Sequence, residues 1–355
     1  MQAFRLYGDR DGRLEDVPIP TAGPDQVRVK VAAVGVCGSD VHALEAAGRF
    51  GYPMPYTLGH ETVGWVDTLG EGVSGFEPGL PVALFPLIPC GRCTNCAQGR
   101  ANLCRTRFPV SLGAGLDGGM AEYVVAPARN LVPLGDLDPI VAAPLTDAGM
   151  TSHNAVAQVR DRLVEGSVCV AIGIGGLGHV ALQVLRATTP ARVIAVDTEP
   201  ERLAYARALG AWETVEAGPD AQKRIAELCD GLRADVVLDF VGSSETVDLA
   251  CGSVAAGGKL VMVGLGDGVV PVRLGGALPP QVDVVVPLAG SKADLEAVLD
   301  LARRGLVEAK VTAFGLGDVL EVIDRVHRGE VMGRAVLIPD PPSSPHAATA
   351  SAATP

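Results

Sequence analysis

Four cysteines stand at Cys90, Cys93, Cys96 and Cys104, a C-x2-C-x2-C-x7-C spacing. Four thiolates so close in the chain can wrap one tetrahedral zinc ion, a soft-ligand site with every donor local. Ferredoxin-type clusters use similar short spacings, but usually with proline after a ligating cysteine, and none follows here. A zinc closed by four thiolates keeps no open position, so this site is expected to stabilise a lobe and to do no chemistry.

A second group of chemically able residues is dispersed. The segment 35–42 reads Gly-Val-Cys-Gly-Ser-Asp-Val-His. Cys37 is a candidate metal ligand, and Ser39 could bond to a metal-bound oxygen. Asp40 could orient a ligating histidine, and His42 could carry a proton onward. The same segment also reads as a turn with a buried cysteine and an N-cap at Ser39 or Asp40. His60 is followed by the Glu61 carboxylate, then by Gly64 and Gly70. Asp147 stands where a helix should start, a place for a capping carboxylate.

The third feature is Gly173-Ile-Gly175-Gly176-Leu177-Gly178, a G-x-G-x-x-G between an apolar run (168–172) and a segment of helical spacing. The run suits a parallel strand buried on both faces. Glycine then serves the tight turn, the close approach of a pyrophosphate, and helix-on-strand packing. The helix that follows begins with unpaired N–H groups able to face phosphates. Asp197 ends the next strand (191–196), about 20 residues on, where an acid can bind ribose hydroxyls. It could also cap the helix that begins at Glu199-Pro200-Glu201. No Arg or Lys follows it directly, and a carboxylate repels a 2′-phosphate, so NAD is expected over NADP.

These residues need a scaffold, and the chain is long enough for one. Its 355 residues allow two domains, and 48% hydrophobic content argues against disorder over most of it. A net charge of −12 argues against nucleic acid and anionic membranes as partners. No apolar run has the length of a membrane span, and the N-terminus moves straight into strand-like sequence without a signal peptide. A soluble cytoplasmic protein is the expectation. In a reducing compartment the clustered cysteines are metal ligands sooner than disulfides, and Cys169, Cys229 and Cys251 read as small buried thiols. The first third reads as irregular and mainly β. Beyond the glycine turn, strands at 191–196, 234–241, 258–264 and 282–287 alternate with helices at 202–209 and 244–254. About six parallel strands would complete such a sheet. Amphipathic helices at 293–304 and 316–328 follow, and a strand near 334–339 closes the fold. The Pro/Ser/Ala/Thr tail, 340–355, reads as disordered.

Together these motifs resemble the zinc-dependent medium-chain alcohol dehydrogenases. Gly59-His60-Glu61-x2-Gly64-x5-Gly70-x2-Val73, the four-cysteine lobe and the glycine turn carry the likeness over residues 1 to about 339. It implies an α/β fold: a doubly wound Rossmann coenzyme domain (149–288) inserted in a mainly-β, GroES-like catalytic domain (1–148 and 289–339). It implies NAD and two zinc ions per chain, one held by Cys37, His60 and Asp147. Many members have cysteine at the third position; aspartate resembles a bacterial secondary-alcohol dehydrogenase branch. Glu61 would be a carboxylate able to approach the metal, and Asp40 the partner of His60. Ser39 would accept the alcohol proton, and the ribose hydroxyls and His42 pass it to solvent, while hydride goes to the nicotinamide. Thr151, Val241, Val263, Leu265 and Leu288 would contact nicotinamide or its ribose. Arg334 would contact phosphate; it also reads as an ordinary surface arginine.

The segment 85–88, with Tyr52, Met54 and Leu116, is expected to line an apolar substrate pocket. That favours a hydrophobic secondary or aryl alcohol, or its ketone or aldehyde. A polyol dehydrogenase and a catalytically idle NAD-binding structural or sensor relative are the alternatives. The apolar strand 282–286 would be a sheet edge, which proteins seldom leave open. Pairing it across a two-fold axis gives a homodimer, with a homotetramer as the other assembly.

Overall fold

In the computed structural model, which describes residues 1–107, 110–273 and 275–339, the apolar run forms the strand Val168–Ile172 with every residue buried. It sits at the centre of a six-stranded parallel sheet. Arg192–Asp197 and then Glu213–Glu216 lie on one side of it. Ala234–Asp239, Val254–Met262 and Asp283–Val285 lie on the other. Chain order therefore reverses beside Val168–Ile172, and the glycine turn leaves the carboxyl end of that strand, where open α/β sheets bind ligands. Gly173 has φ +85, and a Cβ on Gly178 would lie 1.8 Å from the Gly173 carbonyl oxygen. The helix Gly178–Thr188 can reach its strand only with glycine there.

Two elements of this sheet layer carry little sequence signal. Glu213–Glu216 (Glu-Thr-Val-Glu) buries only Val215, and the helix Ala221–Leu228 buries only Ala221 and Ile225. The edge strand shrinks from the expected 282–287 to Asp283–Val285, because it bonds to Lys259–Val261 on one side alone. The expected tail, 340–355, lies outside the described residues.

The second framework is a seven-stranded sheet organised on Gln26–Val36. Glu61–Leu69, Tyr123–Pro127 and Arg334–Ile338 all pair with that strand, antiparallel. The chain thus leaves this sheet, builds the parallel sheet, and returns to pair Ala335 with Val36 and Val336 with Gly35. No helix among the described residues is long and apolar enough to cross a membrane.

One buried polar group on the turn helix titrates in a useful range. His179 is 1% exposed, and burial, followed by Arg334 and Lys310, pushes its pKa down to about 4. Its ordinary value in an unfolded chain is about 6.5, so on acidification the unfolded chain takes the proton first. The stability due to neutral His179 is complete above the unfolded value and is lost as pH falls toward the folded one. Thermal melts between pH 7 and pH 5 should therefore show a steeper loss for the wild type than for His179→Gln. Parallel curves would contradict a buried neutral imidazole.

Candidate active site and metal centres

Cys37, His60, Glu61 and Asp147 converge, one donor atom from each lying within 4.8 Å of the others. They come from separate elements. Cys37 follows the strand Gln26–Val36, while His60 immediately precedes and Glu61 opens Glu61–Leu69, and Asp147 precedes the helix Ala148–Ala157. Cys37 Sγ lies 3.6 Å and His60 Nε2 3.5 Å from Asp147 Oδ2. Donors of a tetrahedral zinc at ordinary bond lengths stand about 3.3–3.8 Å apart. The donor chemistry fits too, with sulfur, imidazole nitrogen and carboxylate oxygen in one place. Asp147 has the helix N-cap position without making a side-chain cap bond; Thr151 Oγ1 instead donates to its Oδ1 at 3.1 Å. That leaves the other oxygen for the cluster.

Asp40 is the orienting carboxylate. Its Oδ1 is 3.4 Å from His60 Nδ1, and its Oδ2 accepts the Cys37 N–H at 2.9 Å. The helix Gly38–Glu45 has Cys37 at its N-cap, not Ser39 or Asp40. Ser39 Oγ is 3.2 Å from His60 Nε2, and His42 is exposed further along that helix. Burial opposes charge on His60, but the Asp40 carboxylate and bonds to Asp147, Asp40 and Cys37 outweigh it and hold its pKa well above the ordinary value. Burial likewise opposes charge on Asp147, yet His60 and Arg334 keep its pKa low. The carboxylates around this imidazole thus favour positive charge at the cluster.

Glu61 and Arg334 are 0% and 5% exposed and pair through Glu61 Oε1 and Arg334 Nη2. Burial raises the Glu61 pKa against the pull of Arg334, and Asp147 raises it further. Glu61 Oε2 has no hydrogen-bond partner among the described residues and is the cluster's free oxygen. Gly35, paired opposite Glu61, makes the room, since a Cβ there would lie 1.8 Å from Oε2. Arg334 is therefore not a surface residue. It also faces the glycine turn, where a Cβ on Gly176 would meet its Nη1 at 2.8 Å.

A groove of about 920 Å³ runs along that turn. Gly173, Gly175, Gly176, Leu177 and Gly178 line it with Asp197, Val241 and Arg334, and it reaches Val36 and Gly38 on either side of Cys37. Asp197 accepts the Ile174 N–H at 2.7 Å and the Glu199 N–H at 3.0 Å, while Glu199, not Asp197, takes the helix N-cap position. Arg202 was not foreseen; its Nη1 lies 3.7 Å from Asp197 Oδ1. It stands five residues on, so inspection of the immediate neighbours of Asp197 overlooks it. Of the other expected nicotinamide contacts, Thr151 is spent on Asp147 and Val263 is half-buried against the core. Leu265 is 72% exposed and Leu288 stands at 36%. None of these four lines the groove.

The expected pocket residues also separate. Phe85 is 2% exposed in the core, and Tyr52 packs against a second core. Ile88 and Leu116 line a different groove that holds no residue of the metal cluster, and Met54 is exposed. Apolar type alone does not separate core from pocket wall.

The four lobe cysteines form the second donor set, again within 4.8 Å. Cys93 and Cys96 sulfurs are 3.5 Å apart and those of Cys90 and Cys96 3.9 Å. Hydrogen bonds from Thr106 and from the Arg92 and Cys93 backbone lower the Cys90 thiol to about 5, while burial and the neighbouring Cys93 push the Cys96 thiol up to about 12.

Residues 23–136 match the model of the alcohol dehydrogenase GroES-like domain, and residues 176–304 that of zinc-binding dehydrogenases. An NAD-dependent alcohol dehydrogenase of Sulfurisphaera tokodaii is 35% identical over 353 residues, 96% of this chain and 100% of that relative. An alcohol dehydrogenase of Moraxella sp. is 34% identical over 92% of this chain and 95% of its own. The crystal structure of the alcohol dehydrogenase of Aeropyrum pernix superposes with a TM-score of 0.89 at 36% identity, covering 96% of this chain and all of that one. The acetophenone reductase of Geotrichum candidum, in complex with NAD, gives 0.83 at 29%, covering 95% and 96%. Two family models in chain order, and relatives aligned nearly end to end, make one assignment: the chain belongs to the zinc-dependent medium-chain alcohol dehydrogenase family.

Proposed function

We propose that this chain interconverts alcohols with ketones or aldehydes using NAD, with one zinc at Cys37, His60 and Asp147 and a second at the four lobe cysteines. The observation that carries this is a single groove lined by Asp197, the glycine turn and the two neighbours of Cys37. It brings a dinucleotide site up to a cation-seeking donor set. Bound zinc would supply a Lewis acid for the substrate oxygen, and bound NAD an acceptor for the hydride. The residues supply the rest. Asp40 and Thr151 fix His60 and Asp147 through contacts of 3.4 and 3.1 Å. Ser39 stands beside His60 to take the hydroxyl proton, and the exposed His42 hands it to water. Glu61, held by Arg334, keeps one oxygen free beside the donors.

The substrate reading is a hydrophobic secondary or aryl alcohol. It rests on the family branch with Asp147 as third ligand and on the similarity to the acetophenone reductase of Geotrichum candidum. All eight cysteines are free, which suits a reducing cytoplasm. Assembly as a dimer or tetramer is favoured by the one-sided edge strand Asp283–Val285 and the exposed Val269, Val272 and Val286, each at least 77% exposed.

NADH formation over a panel of primary, secondary and aryl alcohols is the direct test. Turnover should require zinc, stop on chelation, return on zinc addition, and be faster with NAD than NADP. No turnover by zinc-loaded, NAD-binding protein would favour an idle relative. Asp147→Ala should abolish turnover while NADH still binds; retained activity would remove Asp147 from the donor set. Asp197→Asn weakens a charge-assisted contact, so KM for NAD should rise about tenfold and the preference over NADP shrink. An unchanged preference would put discrimination elsewhere. Val286→Asp should yield monomers in light scattering, and an unaltered mass would move the interface away from this edge.

A further inference from the structure

The turn helix Gly178–Thr188 buries two polar side chains that the mechanism does not use, His179 and Gln183, one helical turn apart. Both reach the same extended segment of the returning chain. Gln183 Nε2 donates to its own i−4 carbonyl, His179, at 3.0 Å and to the Glu308 carbonyl at 2.8 Å. Its Oε1 accepts the Glu308 N–H at 3.0 Å. His179 repeats the device one turn earlier, with Nδ1 2.7 Å from the Gly175 carbonyl oxygen and Nε2 3.2 Å from the Lys310 nitrogen. A carbonyl only accepts and a backbone N–H only donates, so the tautomer is fixed with its proton on Nδ1. The two devices differ in that Gln183 holds both backbone groups of Glu308, whereas His179 alone holds the glycine turn.

We propose that His179 is a positioning residue of the coenzyme seat, tying the Gly175 carbonyl of the glycine turn to the Lys310 N–H of the segment that carries the fold back to Arg334. The links close a ring. Lys310 accepts the Arg334 N–H at 2.8 Å, and the Arg334 guanidinium returns to abut Gly176 while pairing with Glu61. Gly175 and Gly176 are neighbours, so the turn is gripped through two parts of the returning chain, Lys310 just before the strand Val311–Gly315 and Arg334 at the start of its parallel neighbour Arg334–Ile338. His179 thereby sets the distance between the turn and the arginine beside the metal donors. The inference rests on the reading of the glycine turn as the dinucleotide site.

The probe is NADH, titrated by fluorescence against the zinc-loaded protein. His179→Met keeps the volume and loses both bonds. It should raise the NADH Kd about tenfold, a shift of the size expected for a lost buried hydrogen bond, with little change in alcohol KM at saturating NAD. His179→Gln should restore binding, because glutamine spans an i−4 carbonyl and this segment as Gln183 does. Gln183→Met should lower Tm comparably but leave the NADH Kd within about twofold of wild type, a split that a purely structural role would not produce. An unchanged Kd in folded His179→Met overturns the inference, as does an equal Kd rise in Gln183→Met. Where His179→Met does not fold, His179→Asn, too short for both partners, replaces it, and a wild-type Kd there overturns the inference. A wild-type chain that binds no dinucleotide overturns the coenzyme reading and this inference with it; wild-type binding with unaltered variants overturns the inference alone.

Discussion

A buried ion pair between Glu61 and Arg334 holds the architecture to one arrangement. Removing either partner of such a pair costs about 3–5 kcal/mol, a large share of a net stability of about 5–15 kcal/mol. Glu61 opens one strand and Arg334 another, and both flank Gln26–Val36 in the same sheet. The pair can form only after the chain has completed the parallel sheet and returned. Gly35 stands between them without a side chain, and that absence lets the carboxylate fold over the central strand. The insertion of one domain into the other, the register of three strands and one glycine are thus tied to a single charge pair.

The metal donors inherit their placement from the same sheet. Cys37 leaves the central strand just beyond the pairing of Val36 with Ala335, and His60 enters the neighbouring strand just before Glu61 pairs with Gly35. Strand ends are rigid platforms, and Asp147 is brought to them by a helix start that packs elsewhere along its length. Three acidic groups and a thiol gather around one imidazole and one guanidinium. Charges so concentrated away from water need a further cation to balance them, which is the condition under which a zinc site is stable.

Much of this was legible in the sequence. Where residue type and spacing state a geometric need, the structure has the expected form: the buried strand, the glycine turn and the four-cysteine lobe, whereas the grouping of Cys37, His60 and Asp147 followed from the family resemblance and not from their spacing. Short polar elements were not legible. Glu213–Glu216 and Ala221–Leu228 bury one and two residues, too few to impose a period. Contacts made across the fold were also hidden. His179 reaches Lys310, 131 positions away in the chain, and Asn154 reaches the Ala289 carbonyl, 135 positions away. The apolar residues expected around the substrate dispersed for a different reason. Phe85 and Leu116 are alike in chemistry, and only tertiary packing decides that one fills the core while the other faces solvent.

The Asp197–Arg202 pairing changes the physical argument for coenzyme choice. From the chain alone, an unaccompanied carboxylate would repel a 2′-phosphate by simple charge. In the fold, both Asp197 oxygens already accept backbone N–H groups, and a guanidinium lies 3.7 Å away. The net field at the ribose is therefore weaker than one bare negative charge. A carboxylate has about four lone-pair positions, so two remain for ribose hydroxyls after the backbone is satisfied. With the ribose at Asp197, as proposed, preference for NAD would come less from repulsion than from recognition. Two hydroxyls can donate to Asp197 where a phosphate, with no proton to give, cannot. The backbone bonds that quiet the charge also aim the carboxylate. The contact that joins Asp197 to Ile174 fixes the acid to the glycine turn itself, so in the proposed site one local arrangement would position both the ribose and the pyrophosphate.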